Sequence, residues 1–533
     1  MIITLSDCLR IQAQKTPDKE ALVYRERLIT YAELDDEVDR VAAMLLNIGL
    51  AKNDRVAVFM EKSPEEAASL LAVSRAGGIF IDVNHLLKAP QVLHILMDSG
   101  TKFLFTTCQR YKVLAPVLNE CPDLKYLILH GSGEIPGKIR VKVIDRGEWG
   151  SEKLRPLQRR IVETDVGAII YTSGSTGNPK GVVLSHRNLV AGAESIATYL
   201  ENTPAEKILS VLPFSFDYGL NQLTTSLYIG ATCVLMNHLF PNDILNVLEK
   251  ESITGLGLIP PLWLQLLQKE WDYTRFPAWR YLTNTGGTLP ESAVRELQRR
   301  LPNTQIYLMY GLTEAFRATY LPPEEVDRRP ASIGKAIPNA EIWVLNEKKE
   351  HCKPGEEGEL VQRGAHVAMG YWNDPEQTRE RFRPNPFAPP DLQMEEQVVF
   401  SGDRVRMDEE GFIYFIGRRD EMIKTSGYRV SPMEIEEILY NTGLVKHAVS
   451  FGIPDEILGQ LVIAVVSPSD GTRPETKELI IACSNILPNY MVPKEIAVWN
   501  DLPLNPNGKI DRQAVKAQFE SRKHESTKEG KKN

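Results

Sequence analysis

The feature that most constrains the fold is an alternation of short apolar runs with helical segments through the first half of the chain. Arg55–Met60 is apolar and β-branched, and Ser63-Pro64-Glu65-Glu66 follows it as a helix start, with Ser as N-cap and Pro at the first helical position. We expect this helix to run to Ala76 and to end at Gly77-Gly78, before a second apolar run at Ile79–Val83. A strand, a crossover helix and a strand in this order predict parallel pairing.

The same pattern returns several times along the chain. Its apolar runs are almost uninterrupted by polar residues, which is typical of strands in a parallel sheet that helices cover on both faces. The sequence therefore predicts an α/β fold with βαβ-type sheets in a large N-terminal domain. The further runs are Lys102–Thr106, Val166–Tyr171, Ile208–Phe214, Thr232–Met236, Ile253–Ile259 and Arg280–Thr283.

The pattern changes after Pro330, where short strands joined by turns predict a small antiparallel, β-barrel-like unit. A second change near Gly417 introduces helices and strands in the mixture expected of a compact α+β domain. We therefore predict an N-terminal domain over 1–417, a small mobile C-terminal lid domain over 418–520, and a disordered, charged tail over 521–533.

Charge and composition exclude several functional classes. The chain carries 62 Lys and Arg against 70 Asp and Glu, a net charge of −8, which argues against a dedicated nucleic-acid binder. An acidic residue at Asp7 interrupts the start before a signal peptide could form, and no apolar stretch reaches the ~18–20 residues that span a bilayer. The six cysteines are scattered without a CxxC pair, so we expect a reduced, cytoplasmic protein without a membrane partner.

The strongest chemical signal is the glycine- and hydroxyl-rich string from Tyr171 to Gly181 (YTSGSTGNPKG), which follows an apolar strand pattern and precedes a helix near Ser185. Glycines let backbone amides turn toward an anion, and the hydroxyls and Lys180 add donors. The loop therefore predicts phosphate binding. It is not a Walker A loop, because no GK[ST] closes it.

This string resembles the phosphate loop of the adenylate-forming superfamily, which includes acyl-CoA synthetases, adenylation domains of peptide synthetases, and luciferases. The other motifs of that superfamily follow in order over nearly the whole chain. They are Tyr310-Gly311-Leu312-Thr313-Glu314, Gly358-Glu359-Leu360 through Ala368-Met369-Gly370-Tyr371-Trp372, Ser401-Gly402-Asp403, Gly417-Arg418-Arg419-Asp420, Lys424-Thr425-Ser426-Gly427-Tyr428-Arg429 and Asn507-Gly508-Lys509-Ile510-Asp511-Arg512.

The resemblance implies that a substrate carboxylate attacks the α-phosphorus of ATP and that pyrophosphate leaves, a step that needs fixed cations. It assigns catalytic roles to Lys509, which would bridge the carboxylate and the α-phosphate, to Thr313, and to Glu314, which would bind Mg²⁺. Tyr310 would stack on adenine, and Asp403 would accept the ribose hydroxyls with help from Arg418. The ATP-binding residues implied are Thr172, Ser173, Gly174, Ser175, Thr176, Gly177, Lys180, Tyr310, Gly311, Asp403 and Arg418.

A second half-reaction is implied, in which the C-terminal domain rotates and an acceptor thiol attacks the adenylate. Asp420 matches the hinge of that rotation, and Gly427 matches the wall of the thiol tunnel. No Gly-Gly-x-Ser carrier attachment site follows Lys509, so we expect the acceptor to be a separate acyl carrier protein.

The substrate pocket favours a small amino acid. Phe216-Asp217 resembles amino-acid-activating domains, in which the Asp pairs with the substrate ammonium, whereas many fatty-acyl and aryl ligases have His at the Phe position. A buried carboxylate without a partner is costly, so a cationic substrate would explain Asp217; the other explanation is a helix cap. The pocket residues implied are Asp217, Tyr218, Asn221, Leu258, Thr285, Met309, Arg317 and Ala318.

The string from Phe214 to Gln222 resembles stand-alone enzymes that activate L-proline and load it onto a carrier protein, as in pyrrole and anatoxin-type pathways. Other residues favour a rival. Leu312 stands where peptide-synthetase domains usually carry Pro, and Met369-Gly370-Tyr371-Trp372 resembles acyl-CoA ligases. The alternative is therefore an AMP-forming acyl-CoA synthetase that joins a non-amino acid to free CoA. A non-catalytic nucleotide-binding relative is disfavoured because Glu314 and Lys509 are both present.

Overall fold

The computed structural model describes residues 2–131, 139–145, 149, 161–172, 179–237, 240–391, 395–418, 421–425, 428–455, 458–487 and 489–529, without the side chains of 424, 428, 429 and 524–529. The helices are α1 (Leu5–Lys15), α2 (Tyr31–Asn47), α3 (Pro64–Ala76), α4 (Ala89–Ser99), α5 (Cys108–Leu114), α6 (His186–Tyr199), α7 (Asp217–Ile229), α8 (Pro241–Lys250), α9 (Pro260–Leu267), α10 (Glu291–Arg300), α11 (Pro375–Arg381), α12 (Pro432–Asn441), α13 (Thr476–Ser484) and α14 (Arg512–Glu529).

The strands of the large domain fall into two sheets and those of the small domain into two more. The strands are β1 (Glu20–Tyr24), β2 (Arg27–Thr30), β3 (Arg55–Phe59), β4 (Ile79–Asp82), β5 (Phe103–Thr107), β6 (Tyr126–His130), β7 (Lys142–Ile144), β8 (Val166–Thr172), β9 (Lys180–Ser185), β10 (Lys207–Ser210), β11 (Thr232–Leu235), β12 (Gly255–Leu258), β13 (Tyr281–Asn284), β14 (Gln305–Tyr310), β15 (Thr319–Leu321), β16 (Ser332–Ala336), β17 (Ala340–Leu345), β18 (Glu357–Gly364), β19 (Gly370–Tyr371), β20 (Phe382–Pro384), β21 (Gln397–Met407), β22 (Ile413–Arg418), β23 (Ile423–Thr425), β24 (Tyr428–Val430), β25 (Val445–Asp455), β26 (Gly459–Pro468) and β27 (Glu495–Val498).

The first βαβ unit forms as predicted. The Ser63 side chain accepts from the amide of Glu66, Pro64 opens α3, and Gly77 ends it in the left-handed conformation at φ +78°. The strands on either side, β3 and β4, pair in parallel. They belong to a sheet in the order β19-β9-β8-β4-β3-β5-β6-β7. The mixed α/β architecture, with a large N-terminal and a smaller C-terminal domain, is therefore confirmed.

The second sheet of the large domain combines parallel and antiparallel strands. Its parallel centre runs β14-β13-β12-β10-β11-β1, and the antiparallel strands β15, β16, β22, β21, β18 and β17 continue it on one side. The antiparallel unit expected after Pro330 is thus an extension of the large sheet. The apolar run Ile208–Phe214 is only partly a strand, because β10 ends at Ser210 and the chain turns toward α7.

The glycine-rich string lies between two strands, not between a strand and a helix. β8 and β9 pair antiparallel, with Thr172 opposite Lys180, and α6 begins only after β9 with Ser185 as its N-cap. The apolar residues Val182, Val183 and Leu184 are buried, which explains why a strand forms there.

The small domain contains a hairpin, β23-β24, and a three-stranded sheet in the order β25-β26-β27, packed with α12 and α13. Where the sequence predicts a disordered tail from Ser521, the structure continues α14 to Glu529; the last four residues of the chain lie outside the described part. None of the described helices is both long and apolar enough to cross a membrane.

Candidate active site

The candidate site lies where the parallel strands of the larger sheet end. β12, β13 and β14 run in the same direction as β10, so the residues after them meet at one edge of the sheet. Those residues include Ile259, Thr285 and Gly286, while Tyr310 is the last residue of β14 and α7 follows the loop after β10. The topology therefore brings together motifs that are far apart in sequence.

Asp217 is the first residue of α7, after Phe216 as the N-cap. The helix can begin here because Gly219 allows a close approach: a Cβ at this position would lie 2.0 Å from the Pro213 carbonyl oxygen. No side-chain capping bond is present at this helix start. Asp217 is therefore a first-turn residue, and the helix-cap explanation for it is wrong.

Asp217 has a cationic partner inside the protein. Arg317 donates from Nη1 to Asp217 Oδ2 at 3.2 Å, and the two side chains are only 2% and 5% exposed. The expectation that Asp217 is buried without a partner is therefore wrong. Among the described residues, no donor reaches Asp217 Oδ1, while Arg317 Nε and Nη2 lack a hydrogen-bond partner.

A tight turn after β14 positions Arg317. Thr313–Ala315 forms a short 3₁₀ turn, after which Phe316 adopts φ +54°, an uncommon conformation for a bulky residue. The Phe316 ring packs closely on Gly192 of α6, where a Cβ would come within 2.3 Å of it. Burial of this ring holds the turn, and so directs Arg317 toward Asp217.

The pocket wall is formed by Tyr218 and Met309. The Tyr218 hydroxyl donates to the Thr283 carbonyl at 3.0 Å, and the Arg317 guanidinium lies 5.0 Å from the centre of its ring. Met309 Sδ accepts from the Tyr199 hydroxyl at 2.8 Å. Both side chains are locked by buried neighbours, which favours a small pocket.

Behind Tyr218 lies a cavity of about 30 Å³ that also contacts Asn221 and Met309. Gln222 and Thr283 line it too, and sequence reasoning missed both of them. Asn221 is bonded within its own helix, since Oδ1 accepts from Thr225 at 3.2 Å. The remaining predicted pocket residues, Leu258, Thr285 and Ala318, are buried near the strand ends.

The nucleotide side of the site is organised around Asp403 in β21. Its Oδ2 accepts from the Tyr310 hydroxyl at 2.5 Å, and Oδ1 lies 3.4 Å from Arg418 Nε. Burial raises the pKa of Asp403, while Arg418 acts in the opposite direction. Gly311 follows Tyr310 and lies close to the backbone of Arg317. A Cβ placed on Gly311 would lie 3.3 Å from Arg317 Cα. The structure thus brings three of the predicted ATP-binding residues, Tyr310, Asp403 and Arg418, into direct contact.

Glu314 is held by Tyr371, to which the sequence motifs assign no role of its own. The Tyr371 hydroxyl donates to Glu314 Oε1 at 2.5 Å. Within the described residues, no cluster of three His, Cys, Asp or Glu side chains could hold a metal. A single carboxylate is sufficient for an Mg²⁺ ion that takes its other ligands from phosphates and water.

The phosphate loop is described only at its ends. Thr172 closes β8 and Lys180 opens β9, and Lys180 Nζ lies 3.9 Å from Asp374. The predicted residues Ser173, Gly174, Ser175, Thr176 and Gly177, and also Asp420 and Gly427, lie outside the described residues.

Lys509 reaches the pocket from the small domain. Its ammonium lies 4.4 Å from the centre of the Phe216 ring, and the side chain passes over Gly286, where a Cβ would lie 2.8 Å from Lys509 Cε. Burial lowers the pKa of Lys509 to about 8, an effect that Asp217 opposes and Arg418 and Arg317 reinforce. The structure therefore brings the predicted catalytic lysine against Phe216, the residue before Asp217.

Comparison with known proteins agrees with this geometry. The model of the AMP-binding enzyme family matches residues 9–372, and that of the AMP-binding enzyme C-terminal domain matches residues 434–509. The chain belongs to the AMP-binding enzyme family. This is the adenylate-forming group that its motifs resemble.

Its similarity to other AMP-binding enzymes extends over both domains. Tyrocidine synthase 3 of Brevibacillus parabrevis is 31% identical over 96% of this chain, which spans about 8% of that much longer relative. The human mitochondrial medium-chain acyl-CoA ligase ACSF2 is 28% identical over 97% of this chain and 88% of its own length. The o-succinylbenzoate CoA synthetase of Bacillus subtilis, solved with its acyl-adenylate, aligns with a TM-score of 0.80 at 25% identity, over 95% of this chain and 97% of its own.

Proposed function

We propose that this AMP-binding enzyme activates a small amino acid, with L-proline favoured, as aminoacyl-AMP and transfers it to the phosphopantetheine thiol of a separate acyl carrier protein. The observation that carries the proposal is the Lys509 ammonium, which enters a pocket that also contains Asp217. A cation and an anion in one pocket complement the carboxylate and the ammonium of an amino acid. The similarity to tyrocidine synthase 3, over 96% of this chain, adds support.

In the first step a carboxylate oxygen of the substrate attacks the α-phosphorus of ATP, and pyrophosphate leaves. Lys509 offsets the two converging anions, and the Thr313 hydroxyl donates to the α-phosphate. Thr172, Lys180 and the loop between them hold the β- and γ-phosphates. Asp403 accepts from the ribose with Arg418 beside it, and Tyr310 lies along the adenine.

Glu314 is the residue that would hold Mg²⁺, and its bond from Tyr371 leaves one carboxylate oxygen for the ion. When bound, the ion would neutralise phosphate charge during the attack on the α-phosphorus. The protein supplies the orientation of Glu314, because Ala368 also donates to the Glu314 backbone carbonyl at 2.9 Å.

Asp217 can accept a substrate ammonium without giving up Arg317. A carboxylate offers about four acceptor sites, and among the described residues only Arg317 occupies one of those on Asp217. A small, rigid ring such as proline suits the space that Tyr218 and Met309 limit, because it loses little entropy on binding.

Thioester transfer follows after the small domain rotates at Asp420 and brings Gly427 to the thiol path. The division into domains over 1–417 and 418–520 is part of this proposal. The described strands support it, because the strands that follow β22 pair only with one another. We also propose a cytoplasmic location, which the six free thiols support.

A second function is favoured by one observation, the Asp217–Arg317 ion pair. Because Arg317 already balances Asp217, a substrate without an amino group leaves no unpaired buried charge. Such a substrate would make the chain an AMP-forming acyl-CoA synthetase that uses free CoA.

The test is ATP–pyrophosphate exchange with L-proline, pyrrole-2-carboxylate, cyclopentanecarboxylate and octanoate, followed by thioester formation with CoA alone. We expect exchange with L-proline above the other acids and no thioester with CoA. Exchange that favours octanoate or cyclopentanecarboxylate, together with an acyl-CoA product, would establish the second function instead. A wild-type enzyme that supports no exchange with any acid of a wider panel would contradict both.

A further inference from the structure

Asn84 joins the large domain to the turn that carries Lys509. It follows β4, two residues after Asp82, and is only 6% exposed. Its Nδ2 donates to the Pro506 carbonyl at 2.9 Å and to Asn507 Oδ1 at 3.1 Å, across 422 residues of chain. Both hydrogens of the amide group are therefore used on this turn.

The orientation of the Asn84 amide is set by the large domain. Its Oδ1 accepts from the Leu86 amide at 2.9 Å, which leaves the NH₂ group directed at Pro506 and Asn507. The Asn84 carbonyl accepts from Leu87, so the segment is a closed turn. Asn84 thus presents two fixed donors and does not need to reorganise when the turn arrives.

The turn from Asn505 to Lys509 is rigid by itself. Asn505 Oδ1 accepts from the amides of Asn507 and Lys509, each at 3.0 Å, and the Asn505 amide donates to the Lys509 carbonyl at 2.7 Å. A rigid turn that is held at its tip fixes the Cα of Lys509. That matters because the four-carbon stem of lysine is flexible and cannot position its ammonium alone.

No other hydrogen bond in the described part of the chain links the large domain to this turn. Elsewhere between the domains, the amide of Glu291 donates to Glu437 Oε1 at 3.0 Å, but this contact lies on α10 and α12. A further contact between the large domain and this turn is apolar. A Cβ placed on Gly508 would lie 3.3 Å from Cδ1 of Ile259.

We propose that Asn84 is a positioning residue for adenylation: its two hydrogen bonds to Pro506 and Asn507 seat the turn so that Lys509 enters the pocket over Gly286. The inference rests on the proposed role of Lys509. Asn84 acts through Lys509 and does not touch the reacting atoms. The two hydrogen bonds are between neutral groups and each contributes little net free energy. They can therefore hold the turn in place and still allow it to leave.

The test compares Asn84→Asp with the wild type. The substitution preserves shape and keeps the acceptor for the Leu86 amide, but places a carboxylate oxygen against two other oxygens. We expect kcat for pyrophosphate exchange to fall roughly tenfold to hundredfold, with a much smaller change in KM for ATP. Asn507→Ala, which removes one acceptor from the other side, should lower kcat in the same direction by less. The same Asn-to-Asp change at the exposed Asn47 is the control.

A second measurement does not depend on the acid. Trypsin can cleave after Lys509 only when its side chain leaves the pocket, so the rate of this cleavage reports the unseated population. In Asn84→Asp this rate should rise, by at least the factor by which exchange falls when most of the wild-type enzyme is seated, while cleavage at exposed sites stays unchanged. If kcat and the cleavage rate both match the wild type, Asn84 does not position Lys509. If cleavage rises everywhere, the role is merely structural, and the proposal also fails.

If the proposed preference for L-proline is wrong, the results would differ from those of a failed positioning role. If the wild type does not use L-proline, exchange is measured with the acid of the panel that it does use, and the tryptic comparison stands unchanged. A rise in cleavage after Lys509 would then support the positioning role of Asn84, although L-proline would be rejected as the substrate.

Discussion

Arg317 and Asp217, one hundred residues apart, form an ion pair at 3.2 Å inside the substrate pocket. The pair is almost fully buried, and Arg317 keeps two nitrogens, Nε and Nη2, without a hydrogen-bond partner among the described residues. Asp217 therefore has two proposed roles that experiments can separate. It neutralises Arg317, and it can bind a substrate ammonium.

The first prediction concerns stability. Asp217→Ala leaves Arg317 buried without its partner, which typically costs about 3–5 kcal/mol of unfolding free energy. The double variant Asp217→Leu/Arg317→Met should recover most of that loss, because it removes both charges. Urea denaturation of the wild type and both variants measures this. Equal stability of Asp217→Ala and the wild type would show that the ion pair contributes nothing.

The second prediction concerns selectivity, with Asp217→Asn as the variant that best preserves shape. If Asp217 binds the substrate ammonium, the preference for L-proline over cyclopentanecarboxylate should collapse in this variant, because the two acids differ at the ring nitrogen. Exchange rates at matched pH measure the ratio. An unchanged ratio would restrict Asp217 to its bond with Arg317.

The third prediction concerns the charge on Lys509. Lys509→Ala should lower exchange by roughly 10²–10³ while ATP binding largely survives, as is typical when one preorganised charge is lost. The pKa of Lys509 is about 8 and its charged form is the active one, so wild-type kcat/KM should fall as the pH rises through about 8. Lys509→Arg should be slower but flat over this range, since arginine stays protonated. A parallel fall in both enzymes would assign the pKa to another group.

The fourth prediction concerns the two-step cycle. Asp420→Pro restricts the backbone at the expected hinge, and Gly427→Leu fills the expected thiol path. Both variants should still catalyse pyrophosphate exchange but should lose thioester formation. The two half-reactions are measured separately on each variant. A loss of equal size in both steps would contradict domain alternation.

The fifth prediction concerns Tyr371. Tyr371→Phe removes the 2.5 Å bond to Glu314, so the Mg²⁺ concentration that gives half-maximal exchange should rise roughly tenfold. Tyr414→Phe is the matched control, because it removes a similar bond, 3.2 Å long, to Asp408, a carboxylate that has no role in the proposed mechanism. Magnesium titrations of exchange measure both. Identical titrations for Tyr371→Phe and the wild type would remove Tyr371 from the magnesium site.

Much of the local structure was determined by the sequence by itself. The Ser63–Pro64 start and the Gly77 stop of α3 and the parallel pairing of β3 and β4 follow from caps, glycines and apolar periodicity. These are interactions between residues close in the chain, so a local pattern contains the information. The ordered motifs likewise indicate the family without any information on tertiary contacts.

Only the tertiary structure decided which partner each functional side chain has. Nothing near Asp217 in the chain indicates Arg317, and nothing near Asn84 indicates Pro506, because both contacts arise from packing of distant elements. The hairpin position of the glycine-rich string was also missed, since β9 forms only where β8 and β19 pair with it. A buried charge takes the partner that the fold brings within reach, and that choice depends on three-dimensional packing, which the local sequence does not contain.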